Sequence, residues 1–142
     1  MSGEFLDTNV LIYAHDSTAG AKREVAVDLI TRLAEGRKGL LSVQVLMEFY
    51  VNVTRKIPKP LAATRASEII ADFAAWPVFS PRVPDLLEAI HIAGRHRIGF
   101  WDALIVRAAL GLGADVIWSE DLADGQRYQG VTVRNPFTAP SA

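Results

Sequence analysis

The chain has 142 residues, with 15 Lys and Arg against 16 Asp and Glu, three His and no Cys. That length fits one compact domain able to bury roughly 68–70% of its unfolded surface, and a half-hydrophobic composition excludes intrinsic disorder. Without cysteine there is no disulfide framework or thiolate metal site, and a formal charge of −1 excludes a globally basic nucleic-acid binder. Met1-Ser2-Gly3-Glu4-Phe5-Leu6-Asp7 lacks the basic start of a signal peptide, and charged residues interrupt every apolar run before it could span a membrane. A cytoplasmic protein is expected.

Glu4-Phe5-Leu6 reads as a short strand, stopped by the cap-forming Asp7-Thr8-Asn9 before the apolar run Val10 to Ala14. His15 to Gly20 reads as a loop. Ala21 to Glu35 has helix periodicity, with Val25, Leu29, Ile30 and Leu33 on the apolar face and Gly36 as the stop. Gly39 to Ser42 is a second strand, and Val43 to Lys56 a second long helix. Pro60 suits the first turn of a further helix to about Ala75, with Ile69, Ile70 and Phe73 inward. Trp76 to Phe79 fits an edge strand, where proline is tolerated. Two more helices follow, Pro84 to about His96 and Phe100 to Leu112, divided near Gly99. Asp115 to Trp118 and Val131 to Val133 complete the strands. Strands alternating with helices predict an α/β domain with a mostly parallel central sheet, in which ligands collect beyond the carboxyl ends of the strands.

Four acids stand out in that frame. Asp7 closes the first strand, although Asp7 or Thr8 also suits a plain helix N-cap. Val43 to Val53 is apolar nearly all round, and its polar residues Gln44, Glu48 and Asn52 stack four apart into one stripe. A buried Glu48 needs a partner, either a metal or a core-facing arginine such as Arg107. Asp102 interrupts the apolar run Trp101 to Leu110, in a first turn where the helix dipole also favours it. Ser119-Glu120-Asp121 follows the strand ending at Trp118, and either acid can face a cleft there.

Carboxylates brought together repel, which raises their pKa values or demands a cation. All-oxygen ligation selects Mg²⁺ or Mn²⁺ over zinc. Two such ions about 3.5–4 Å apart can clamp the attacking and leaving oxygens of a phosphodiester. Metal-assisted phosphodiester hydrolysis is therefore the reaction class these acids point to. No Gly-x-Ser-x-Gly elbow or glycine-rich phosphate loop competes with it, and His91 and His96, five apart, do not share a helix face.

In order, Phe5 to Ala14, Ser42 with Glu48, Ile98 to Ile105, and Trp118 to Leu122 resemble the four motifs of the PIN domain. The resemblance is greatest to the VapC-type toxin ribonucleases of bacterial toxin–antitoxin pairs, and it runs from Glu4 to about Phe137. It implies a single three-layer α/β/α domain and Mg²⁺- or Mn²⁺-dependent endoribonuclease activity. It also implies a cognate antitoxin that inserts a C-terminal segment into the cleft, and a homodimer. By position it makes Asp7, Glu48, Asp102 and Asp121 the catalytic acids, with Asp7, Asp102 and Asp121 on the metal and Glu48 ligating or orienting water. Thr8, Asn9 and Ser119 become polar supports, Glu120 turns outward, and Asp124 is either an outer support or part of a plain turn.

An RNA substrate, such as a structured tRNA, has to overcome the acidic cleft. Arg95 and Arg97, just before Asp102, are the candidate phosphate contacts, ahead of Arg55, Lys56 and Lys59. Trp101 and Tyr13 are expected to pack in the core rather than stack on bases. Two other classes fit the residues less well. A catalytically silent PIN-fold RNA-binding or scaffold module would gain nothing from keeping four mutually repelling acids. A small phosphatase would want an Asp-x-Asp at the first strand and a lysine near the site, whereas Asp7 is followed by Thr8 and Asn9 and no lysine follows Lys59.

Overall fold

The elements follow in chain order as β1 (Gly3–Leu6), α1 (Thr8–Ala14), α2 (Ala21–Gly36), β2 (Gly39–Ser42), α3 (Val43–Arg55), α4 (Ala63–Phe73), β3 (Val78–Phe79), α5 (Val83–His96), α6 (Phe100–Gly111), β4 (Ala114–Trp118), β5 (Arg127–Tyr128) and β6 (Val131–Arg134). They belong to a computed structural model that describes residues 3–138. The strands form one sheet in the order β3-β2-β1-β4-β6-β5, parallel except for the pairing of β5 with β6. None of the described helices is long and apolar enough to cross a membrane.

The chain steps from β1 to β2 to β3 in one direction across the sheet and then crosses back to β4 beside β1. Right-handed crossovers put the helices of the two directions on opposite faces. Accordingly α1 packs on α2 and α3, and α3 on α4, while α5 packs on α6, which lies against β2 and β4. The result is a three-layer α/β/α arrangement. The reversal leaves a crevice between the carboxyl ends of β1 and β4, where open parallel sheets bind their ligands. The residues just beyond those ends are Asp7 and Ser119.

Phe5 and Leu6 of β1, Leu41 of β2 and Ile117 of β4 are fully buried, as are Val10, Leu11, Val45, Phe49 and Val106 from the covering helices. This continuous apolar centre fixes the strand ends and so fixes the crevice. Helix starts are set locally. The Asp7 carboxylate caps α1 by accepting from the Thr8 N–H at 2.7 Å, and the Ser42 hydroxyl caps α3 by accepting from the Val45 N–H at 3.2 Å.

Several boundaries differ from the sequence expectation. Helix α4 begins at Ala63, so Pro60 lies before it. The Leu61 N–H donates to the Val53 carbonyl at 2.8 Å, pinning the connection to the end of α3 before the chain can turn. Val25 is exposed, because Ala26, Leu29 and Leu33 set the buried face of α2. Strand β5 has only two residues and no apolar pattern to announce it; the ladder with β6 creates it. Arg107 does not meet Glu48. Its Nε donates to the Asp85 carboxylate of α5 at 3.0 Å, where Asp85 also accepts from the Arg82 N–H.

Gly39 opens β2 beneath the Trp76 ring, and a Cβ there would run into the six-membered ring of the indole. An aromatic ring packed on the sheet has no flexible end to swing aside, so overpacking of this kind costs about 1–3 kcal/mol. Gly39→Ala is expected to lower the thermal midpoint while Gly94→Ala, with open space around its Cβ, does not; circular-dichroism melts of both variants check the contrast.

Candidate active site

Asp7 is buried at the end of β1, and both of its oxygens are engaged. One accepts from the Thr8 N–H at 2.7 Å, the other from the Ser119 hydroxyl at 2.7 Å. Ser119 is itself fully buried and accepts in turn from the N–H groups of Asp121 and Leu122, both at 3.1 Å. One hydroxyl thereby joins the first acid to the turn that carries the last.

The side chains that follow Asp7 in α1 extend the same network. The Thr8 hydroxyl donates to Glu48 Oε1 of α3 at 2.6 Å. Asn9 donates through Nδ2 to Asp121 Oδ2 at 3.2 Å and accepts through Oδ1 from the Glu120 N–H at 3.3 Å. Gln44, one turn before Glu48, donates to Glu48 Oε2 at 3.3 Å and to the Trp101 carbonyl at 3.2 Å. Asn52, one turn after, donates to the Glu48 carbonyl at 2.8 Å. The polar stripe of α3 is therefore one hydrogen-bonded row, and it ties α3 to the first turn of α6, which holds Asp102.

Burial above all, then the charges of Asp121 and Glu48, push Asp7 up from 3.8 to about 7, against the opposing bonds from Ser119 and Thr8. Burial, Asp121 and Glu48 also raise Asp102, and nothing offsets them there. Tyr128 of β5 is raised by burial and by the charge of Asp102. Asp7 and Asp102 thus each sense the charges of Asp121 and Glu48 across the crevice. Among the described residues, however, no three Asp, Glu or His side chains converge tightly enough to hold one ion.

The donor set nevertheless suits a hard cation. It is all oxygen, it is negatively charged in excess, and Asp7 cannot readily ionise without compensation. Gln44 Oε1, buried beside Glu48, has no donor, and an ion's hydration water can supply one.

The cleft beyond these groups has a volume of about 480 Å³, ordinary for a ligand pocket, and is walled by Thr8, Asn9, Glu48, Asn52 and Asp121. Met47 and Val51 of α3 and Lys56 form its rim. Lys56, ranked behind Arg95 and Arg97 in the sequence, therefore reaches the cleft. Arg95, in the last turn of α5, and Arg97, its left-handed cap residue with φ 56°, are both exposed. Trp101 is 63% exposed, contrary to the expectation of core packing, because the buried side of α6 starts at Ala103. Tyr13 is half-buried, its phenol held by Glu120. Glu120 does turn away from the acids. Asp124 is spent elsewhere, accepting from the Asn135 N–H at 2.9 Å. His91 is exposed, and His96 stacks edge-on against Tyr128. The α3 helix is not buried all round, since Met47, Tyr50 and Val51 face outward.

A PIN domain family model matches residues 5–123. No curated protein sequence matches. Among solved structures, the chain is similar to the sarcin-ricin loop cleaving toxin VapC20 of Mycobacterium tuberculosis, with TM-score 0.66 and 19% identity over 84% of this chain and 90% of the other. It is similar to a DNA-bound VapBC of Salmonella typhimurium, with TM-score 0.64 and 20% identity over 96% and 99% of the two chains. A toxin–antitoxin complex from Klebsiella pneumoniae gives TM-score 0.69 and 17% identity over 97% and 100%. At these identities the likeness is one of fold.

The raised Asp7 has a consequence for stability. Between pH 3.8 and about 7 the folded protein holds a proton that the unfolded chain releases, so stability falls as pH rises through that window. A shift of this size corresponds to a few kcal/mol at most. Asp7→Asn keeps a capping oxygen and removes the charge. In EDTA at pH 7.5 it is expected to unfold at higher urea than wild type, the difference shrinking toward pH 4; equal midpoints at pH 7.5 would contradict the burial argument.

Proposed function

The chain belongs to the PIN-domain family, and from that premise we propose that it is a metal-dependent endoribonuclease, the toxin of a toxin–antitoxin pair. The observation that carries the reading is the set of Asp7, Glu48, Asp102 and Asp121 at the switch point of the sheet, with Asp7 held near 7 by burial and like charge. Asp7, Asp102 and Asp121, drawn closer by the ion, would hold Mg²⁺ or Mn²⁺, and Glu48 would ligate it or orient water. When bound, the ion supplies Lewis acidity toward water and the scissile phosphate.

The chain's own groups do the rest. Ser119 and the Thr8 N–H keep Asp7 in one orientation, and Asn9 restrains Asp121. The Thr8 hydroxyl fixes Glu48 Oε1, so that Oε2 is the freer oxygen toward the cleft. Arg95, Arg97 and Lys56 attract the RNA backbone past the acids, and the exposed Trp101 ring suits an unpaired base.

The antitoxin docks on the outer face of α3. Val43, Leu46, Met47, Tyr50 and Val51 form an apolar groove there with Ile70 of α4. Met47 and Val51 belong to this groove and to the acidic cleft alike. A segment with an apolar side for the groove and a basic end for the carboxylates would fill both. A second copy of the chain packs on α5, where Val83, Leu86, Leu87 and Ile90 are exposed at helix spacing. The first structure named above is of a toxin that cleaves the sarcin-ricin loop, and two others are of toxins with their antitoxins, which supports this reading by fold.

The test is cleavage of end-labelled structured RNAs by wild type and Asp7→Asn, each in Mg²⁺, Mn²⁺ and EDTA. Discrete cuts that need metal and fall at least about 100-fold in the variant are expected, as for losing several kcal/mol of charge stabilisation. RNA binding without cleavage in any metal would instead identify a silent RNA-binding module.

Arg97 offers a second test. Arg97→Gly suits the left-handed backbone and removes the exposed side chain with its charge. In the Asp7→Asn background, which leaves the RNA intact, it is expected to weaken binding and to lower the salt dependence by about one counterion. Filter binding at several salt concentrations measures both; an unchanged slope would remove Arg97 from the interface.

A further inference from the structure

Asp121 differs from the other three acids in how it is held. Asp7 ends a strand and caps a helix, and Glu48 and Asp102 stand on helices. Asp121 sits on the irregular segment after β4, and it is exposed. Repulsion among the four therefore acts most on this loop, which has the least backbone bonding to resist it. Asn9 and Ser119 hold the loop from the cleft side.

From the opposite side, the Glu120 carboxylate is gripped by two groups from separate helices. Its Oε1 accepts from the Tyr13 hydroxyl of α1 at 2.6 Å, and its Oε2 accepts from Lys22 Nζ in the first turn of α2. Lys22 Nζ also donates to the Tyr13 hydroxyl at 3.3 Å and stands 4.8 Å from the centre of its ring. The Phe137 ring closes the group, edge-on to Tyr13 with centroids 5.0 Å apart and 5.7 Å from the lysine nitrogen. A partly exposed ion pair contributes little to the stability of a fold. This one involves the residue immediately before a candidate metal ligand, with that ligand's own carboxylate pushed outward by its neighbours.

We propose that Lys22, acting through Glu120 and Tyr13, is a positioning residue that holds the Asp121 loop in register with the other acids. The inference rests on the metal-dependent reading of the site. Lys22 touches neither the metal nor the scissile phosphate in this role. It limits the outward displacement of Asp121 when the cleft is empty of cation, so that an arriving ion has less distance to close.

The experiment is a calorimetric Mn²⁺ titration of the full chain as wild type, Lys22→Met, Lys22→Arg, Lys22→Met with Glu120→Gln, and Asp121→Asn, alongside kcat and KM on one cleaved RNA. Lys22→Met should bind Mn²⁺ about 10-fold more weakly and lose kcat to a similar extent, with KM for RNA little changed. Lys22→Arg should recover most of both, and the double variant should be no worse than Lys22→Met, since each removes the same contact. Thermal melts matching wild type keep unfolding out of the comparison, and the arginine variant carries the test if Lys22→Met melts early. Wild-type Mn²⁺ affinity in Lys22→Met overturns the proposal. So does a rise in KM at unchanged Mn²⁺ affinity, which would make Lys22 a direct phosphate contact. Absence of Mn²⁺ binding by wild type, or equal binding by Asp121→Asn, overturns the metal reading itself and this inference with it.

Discussion

The constraint on which the rest of the structure depends is the burial of an ionisable carboxylate, Asp7, at the end of the central strand. A buried carboxylate is tolerated when hydrogen bonds satisfy it and a cation compensates it. The chain supplies the first condition through the Thr8 N–H and the Ser119 hydroxyl, and worsens the second by facing Asp7 with Asp121 and Glu48. A fold selected for stability alone would place an apolar or neutral side chain here. The surplus of negative charge marks the crevice as built for something that arrives with positive charge.

Topology makes that concentration of charge possible. The reversal of strand order between β1 and β4 opens the crevice, and residues 7, 48, 102 and 121 reach it from one strand end, two helices and one loop. The buried Ser119 hydroxyl is the joint between the two halves of the sheet at this point, bonded to Asp7 on one side and to the turn at Asp121 and Leu122 on the other. Local caps and long-range site are here the same atoms. The helix cap, one of the two alternatives the sequence left open for Asp7, is made by the same carboxylate that lies at the crevice.

Much of this was legible in the sequence, for identifiable reasons. Parallel strands buried on both faces leave short apolar runs, so β1, β2, β4 and β6 declare themselves. The row Gln44, Glu48, Asn52 is visible because a helix repeats every 3.6 residues, and the structure turns it into a hydrogen-bonded row. What escaped depended on partners distant in sequence. Arg107 meets Asp85 because α5 packs on α6, which no local pattern encodes. Met47, Tyr50 and Val51 look like core and face outward, because hydrophobicity alone does not separate a buried face from an exposed one. Trp101 misled for the same reason. Lys22 carries no local signal at all, since only the folded loop brings Glu120 to it.

These differences share a logic. Elements with regular backbone bonding hold Asp7, Glu48 and Asp102, and their positions follow from core packing that the sequence advertises. The fourth acid lies where backbone bonding is weakest, and its position follows from side chains alone: Asn9 and Ser119 on one flank, Lys22 and Tyr13 on the other. A site that admits and releases a cation gains from having one ligand on a restrained loop, because the repulsion that an ion relieves can be taken up by that loop without disturbing the sheet. Rigid placement of three acids and tethered placement of the fourth thus divides the crevice between regular elements set by core packing and a loop set by side-chain bonds.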